Sequence, residues 1–168
     1  MVEKVNDGLY YDERSAGGIV YKQEDGRILW LIIKTLSKRY SRMAEKDRKE
    51  VYKFPKGHLL KDEVLKAAAL REVEEEGRVK CQVKAKIGSR DYIIWDKVEK
   101  RKIIKKVTFF LMEYIGESRL KYYDNEVVLS REWLSFEETM KTLSYDSEKV
   151  LLRKSRSKLE EILKTKSL

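Results

Sequence analysis

The sequence predicts an α/β fold, and three observations carry that prediction. Apolar runs of strand length, bounded by turn residues, lie on both sides of residues 57–79; one amphipathic helical pattern lies between them; helical periodicity closes the chain. Ser15 to Tyr21 (SAGGIVY) reads as a strand entered through small residues, and Glu24-Asp25-Gly26 as a turn. Arg27 to Thr35 (RILWLIIKT) reads as a buried strand. Residues 37–50 hold Lys38, Arg39, Arg42, Lys46, Arg48 and Lys49 and read as a charged, mobile loop or a short helix. Tyr52 to His58 leads into the central helix, for which Asp62 is a reasonable N-cap and Glu63 suits the first turn.

On that helix Ala67, Leu70 and Val73 are expected to form the core face, opposite Glu72, Glu75 and Glu76. Lys80 to Ile87 alternates as a half-buried strand does. Tyr92 to Trp95 and Val107 to Ile115 read as an antiparallel pair around the basic segment Lys97 to Lys106, and Val127 to Leu134 as a last strand. Phe136 to Leu143 reads as a short helix, and residues 147–163 as a longer one with Val150, Leu151, Leu159, Ile162 and Leu163 inward. Trp30, Trp95 and Trp133 fall in strand-like runs and are expected in the core.

With 168 residues the chain is most simply one domain over 1–168, large enough for a proper core. Hydrophobic residues at 42% and charged residues at 40% fit a globular protein with a heavily charged surface. The lone Cys81 excludes an intrachain disulfide and suits a reducing compartment. Met1 to Tyr11 has no apolar signal region, and the run Ile28 to Ile33 is too short to cross a bilayer. The expectation is a cytoplasmic protein with no membrane association. A net charge of +9 favours polyanionic partners: nucleotide polyphosphates, RNA or inositol phosphates.

The chemistry concentrates in GHLLKDEVLKAAALREVEEEGRV, Gly57 to Val79. On a helix Glu72, Glu75 and Glu76 are spaced i, i+3, i+4, so their carboxylates leave one face within about one turn. Their mutual repulsion makes sense if a hard divalent cation sits among them, because Mg²⁺ prefers carboxylate oxygen and shares its shell with water and phosphate. The stretch resembles the Nudix box, with Gly57, Glu63, Arg71, Glu72, Val73, Glu75, Glu76 and Val79 in register. One position departs: the final glycine of the box belongs at 78, where this chain has Arg78 after Gly77. Gly77 is expected to end the helix one residue early, in the left-handed conformation a helix end accepts.

The resemblance covers about Ser15 to Lys154 and implies a mixed β-sheet sandwiched between α-helices. It also implies that Glu72, Glu75 and Glu76 hold Mg²⁺ or Mn²⁺, together with a backbone carbonyl from Lys56 or Gly57. A carboxylate of that cluster, or Glu126 from a later loop, would deprotonate the attacking water. Arg71 and Glu63 would form an ion pair that orients the helix. FPKGH, Phe54 to His58, looks like the opening of the dinucleoside polyphosphate hydrolases, with Lys56 and His58 as phosphate donors. Tyr92, or else Tyr40, is the candidate for stacking a base. The implied activity is a metal-dependent pyrophosphohydrolase acting on diadenosine tetra- to hexaphosphate. The alternatives are an RNA 5′-end pyrophosphohydrolase or decapping enzyme, and a non-catalytic nucleotide- or RNA-binding module on the same fold.

Overall fold

The computed structural model describes residues 3–4, 10–11, 13–36, 49–96, 100–120 and 128–167. Its strands are β1 (Glu3–Lys4), β2 (Tyr10–Tyr11), β3 (Glu13–Glu24), β4 (Arg27–Leu36), β5 (Glu50–Lys53), β6 (Lys56–His58), β7 (Val79–Asp96), β8 (Arg101–Glu117) and β9 (Val128–Leu134). The helices are α1 (Leu65–Gly77), α2 (Phe136–Thr142) and α3 (Asp146–Lys166). β1 and β2 form a two-stranded ribbon; the others form a seven-stranded mixed sheet in the order β5-β4-β3-β8-β7, with β6 on β3 and β9 on β4. β3 runs parallel to β8, and the other pairings are antiparallel.

Alternation along the strands sends side chains into two layers. Ile19, Phe109, Leu111 and Trp30 pack on one face against Leu151, Leu152 and Leu159 of α3. Ala16, Val20, Phe110 and Met112 pack on the other against Ala68, Ala69 and Val73 of α1. Helices therefore cover both faces of the sheet, the arrangement the resemblance implied. Gly18 brings α1 close to β3: a Cβ there would fall 2.5 Å from Val73 Cγ2. None of the described helices is long and apolar enough to cross a membrane.

Several local expectations are corrected. Residues 79–96 form one long strand rather than two, and its partner starts at Arg101, so much of the basic segment is itself strand. Three register shifts between residues 80 and 88 break the alternation that a pattern search follows. The central helix starts at Leu65, capped by extended Val64 with no side-chain bond, while Asp62 sits in a turn at φ 61°. Its buried apolar residues are Ala68, Ala69 and Val73; Ala67 is exposed and Leu70 half-buried. In α3 Leu152 is buried and Val150 exposed. Trp30 is core and Trp133 half-buried, but Trp95 lies on the surface. The short helix α2 is set by a capping box: Ser135 Oγ accepts from Glu138 N, and Glu138 Oε2 accepts from Ser135 N.

Candidate active site

The site is built around β6. This three-residue strand pairs Lys56, Gly57 and His58 with Gly17, Ala16 and Ser15 of β3. Side chains alternate, so Lys56 and His58 leave one face and position 57 the other. A Cβ added at Gly57 would fall 2.2 Å from Glu72 Cδ, far inside van der Waals contact. Only glycine lets the carboxylate of Glu72 lie against this backbone, which is why the box begins with one.

Glu72 and Glu76 are 3% and 2% exposed, and Glu75 is half-buried. Glu76 Oε2 accepts a hydrogen bond from Lys56 N at 2.9 Å, tying α1 to the start of β6. Glu72 Oε2 and Glu76 Oε1 are buried and accept no hydrogen bond among the described residues. Arg71 is the hub beside them. Its Nε and Nη2 donate to Glu63 at 2.8 and 3.0 Å, Nη1 donates to Glu72 Oε1 and Glu75 Oε2 at 2.8 and 3.1 Å, and Nη2 also donates to the His58 carbonyl at 2.8 Å. The hydrogen bond from Arg71 holds the Glu63 carboxyl below its usual range, and Glu63 raises the Arg71 guanidinium further still. Part of the repulsion expected among the three glutamates is thus met by Arg71 within the protein.

The end of the helix corrects another expectation. Gly77 is helical and buried, with its Cβ position 3.1 Å from Leu31 Cδ2. Arg78 itself takes the left-handed conformation, φ 58° and ψ 32°, and donates its N–H to the Glu74 carbonyl at 3.0 Å. The helix therefore ends where the box requires, with a residue other than glycine bearing the strain. Arg131 Nε of β9 caps the same end through the Glu76 carbonyl at 2.7 Å.

The opposite face of β6 gathers basic side chains, with Glu13 Oε2 4.0 Å from His58 Nδ1 and 3.7 Å from Lys105 Nζ. His58 is exposed, with Nδ1 3.4 Å from Ser15 Oγ and Nε2 3.4 Å from Lys105 Nζ. Lys56 is half-buried, and burial, then the neighbouring Lys53, pull its ammonium below the usual lysine range. Beneath them lies Glu148 of α3, fully buried, accepting from Phe54 N at 3.1 Å through Oε2. Burial pushes its carboxyl up to about 7, against the pull of Lys56. Tyr92 is on this side too. Its ring is half-buried against the α3 core and its hydroxyl bonds to Ser147, so packing occupies much of it.

Glu126, Tyr40 and most of the loop 37–50 lie outside the described residues. Glu72, Glu75, Glu76, Glu63 and Arg71 converge; Lys56 and His58 stand back to back with them across the strand. Glu148, Lys53 and Lys105 were not anticipated. For Glu148 a signal existed: it shares the i, i+3, i+4 stripe of Leu151, Leu152, Ser155 and Leu159, an acid on a buried face.

The NUDIX domain model matches residues 12–154. The chain belongs to the Nudix family. Among Nudix relatives, a Mycobacterium tuberculosis protein named as a mutator protein, MutT4, is 30% identical over 139 residues, covering 83% of this chain and 52% of its own. The chain thus spans about half the length of the curated relative it matches. Among solved structures, a Caenorhabditis elegans Ap4A hydrolase binary complex superposes with a TM-score of 0.61 at 20% identity, covering 89% of this chain and 98% of that one. The NUDIX domain of Shewanella oneidensis NrtR, complexed with ADP ribose, superposes at 0.56 and 14% identity over 92% of this chain and 93% of that one. At such identities both establish a shared Nudix fold.

Proposed function

We propose that this chain is a metal-dependent pyrophosphohydrolase that cleaves a phosphoanhydride bond in dinucleoside polyphosphates of the diadenosine tetra- to hexaphosphate type. The observation that carries this reading is the two-faced strand β6, with buried carboxylates against Gly57 on one side and Lys56 and His58 on the other. A polyphosphate chain wrapped around its edge meets both: acid groups to hold metal, and cations to neutralise the phosphates that are not attacked. The fold shared with an Ap4A hydrolase is consistent with this substrate.

The donor set suits a hard divalent ion, because Glu72 Oε2 and Glu76 Oε1 are buried carboxylate oxygens that accept no hydrogen bond from the described residues. Among the described residues no three acid, histidine or cysteine side chains form a finished cage. Mg²⁺ does not need one, since it keeps water and takes substrate phosphate as ligands. Glu72, Glu75 and Glu76, with a backbone carbonyl of Lys56 or Gly57, would hold Mg²⁺ or Mn²⁺. When bound, the ion neutralises phosphate charge and lowers the pKa of a coordinated water. Glu126 or a carboxylate of the cluster would take the proton from the attacking water. Arg71 and Glu63 fix the helix that presents the cluster, and Lys56, His58 and Tyr92 bind substrate. We place this catalytic domain in the cytoplasm, where its nucleotide substrates and a reduced Cys81 belong.

A phosphate-release screen with Mg²⁺ over dinucleoside polyphosphates, nucleoside triphosphates, triphosphorylated and capped RNA, and diphosphoinositol polyphosphates tests the reading. Diadenosine polyphosphates should be fastest. Faster release from an RNA 5′ end replaces the substrate with RNA, and no release from any compound makes the chain a binding module.

A further inference from the structure

The β7–β8 hairpin outruns β3, its neighbour in the sheet. β3 begins at Glu13, opposite Lys105, but β7 and β8 stay paired through Ile93↔Ile104 and Trp95↔Lys102 to Asp96↔Arg101. Ser89 bonds Thr108 across this ribbon at 3.0 Å, and Ile93 and Trp95 follow Ser89 on the same face by alternation. That face is the one whose Phe110 and Met112 pack beneath α1. On the projecting arm the described residues leave it open: Ile93 is 68% and Trp95 58% exposed, with Asp91 on the same face and Lys100, Arg101 and Lys102 beside them.

We propose that this arm binds single-stranded nucleic acid, with Trp95 and Ile93 as a stacking platform and Lys100, Arg101 and Lys102 as phosphate partners. Charge and chemistry both select this ligand. A second copy of the chain would bring like-charged arms together in a protein of net charge +9. A polynucleotide supplies what the arm lacks, flat apolar faces alternating with anions. Length also selects it. Lys102, opposite Trp95, lies six residues along β8 from Thr108, which is level with Ala16 and so with Gly57. At about 3.3 Å per residue the platform is roughly 20 Å along the sheet from the carboxylates, beyond the reach of one nucleotide. The inference concerns a site separate from β6 and holds whichever phosphoanhydride is cleaved there.

The test is fluorescence anisotropy with a short, 3′-labelled single-stranded RNA carrying a 5′ triphosphate, alongside hydrolysis of diadenosine tetraphosphate. Trp95→Ala should weaken RNA binding about ten-fold, and Trp95→Phe should restore it to within about three-fold of wild type. The double variant Arg101→Glu/Lys102→Glu should flatten the slope of log affinity against log salt by about 1.4, for two lost phosphate contacts. Hydrolysis of the small substrate should be unchanged in every variant, which separates this inference from the proposed activity. Absence of RNA binding by the wild type, or wild-type binding by Trp95→Ala, overturns the proposal. So does a homodimer in sedimentation that Trp95→Ala dissociates.

Discussion

Glu76 and Glu148 approach the same short segment from opposite sides. Glu76, on α1, accepts from Lys56 N; Glu148, on α3, accepts from Phe54 N two residues earlier. Both are buried, both use Oε2, and in both Oε1 accepts no hydrogen bond among the described residues. What differs is the company. Glu72, Glu75 and Arg71 lie beside Glu76 on its helix, whereas Glu148 sits on the buried, mostly apolar stripe of α3 near Lys53 and Lys56. Acidic neighbours make a carboxylate costly to ionise unless a cation offsets them. A lone one in an apolar setting escapes the cost of burial by taking a proton. The same anchoring bond thus serves an acidic site on one side of the segment and a structural tie on the other.

The largest expected effect breaks this contrast at its acidic end. Glu76→Gln should lower turnover by about two to four decades at saturating Mg²⁺, with the fold intact by circular dichroism. Glu75→Gln should behave alike. Glu148→Gln, measured with the same substrate, should stay within about ten-fold of wild type. If Glu148→Gln proves as damaging as Glu76→Gln, the two carboxylates are not different in kind.

Next in size is Gly57→Ala, which drives a methyl group into Glu72 from the backbone side. It should destabilise by about 1–3 kcal/mol in denaturant melts and remove most activity. Wild-type Mg²⁺ dependence in this variant would mean that Glu72 need not lie against β6.

The third prediction uses pH. The Glu148 carboxyl is raised from 4.5 to about 7 in the folded chain, so the folded state binds the extra proton between those values. Stability from this group is therefore highest below the unfolded value and falls as pH rises through 7, by about 3 kcal/mol at most. Thermal melts of wild type minus Glu148→Gln should show the wild type losing ground from pH 4.5 to 7.5. A flat difference would show that Glu148 is charged throughout, paired by Lys56.

The smallest effect is at Arg78. Because Arg78 carries the left-handed backbone, Arg78→Gly should stabilise by about 0.5–1 kcal/mol, while Gly77→Ala should destabilise by crowding Leu31. The reverse order in melting temperature would show that the helix ends elsewhere.

The α/β class and the acidic face of the site were legible because they rest on local pattern, and the layering followed from the Nudix resemblance. Gly57, Arg71 and the three glutamates carry their geometry in their spacing along one helix and the strand before it. Trp95 was misread because its run, YIIW, has core composition, and only the length of the hairpin shows that the strand outgrows the sheet. The cationic face was half legible: Lys56 and His58 adjoin the box, but Lys53 and Lys105 reach it through β5 and β8, by pairings no local pattern encodes. Arg78 was misread because glycine preference is an average; here Ser118 N bonding the Arg78 carbonyl and Arg131 on the Glu76 carbonyl hold the turn without glycine.

The alternation along β6 has a consequence for how such a protein can change. Adjacent residues of one strand face separate tasks, so mutation can explore them independently. A library varying Lys53, His58, Tyr92 and Lys105 samples new leaving groups without moving Gly57 or the acids behind it. Selection on that library should retune substrate preference over a background of retained hydrolysis. The same number of substitutions spread across Glu63, Arg71, Glu72 and Glu76 should yield almost only dead variants, since Arg71 holds Glu63 and Glu72 while Glu76 anchors the Lys56 backbone.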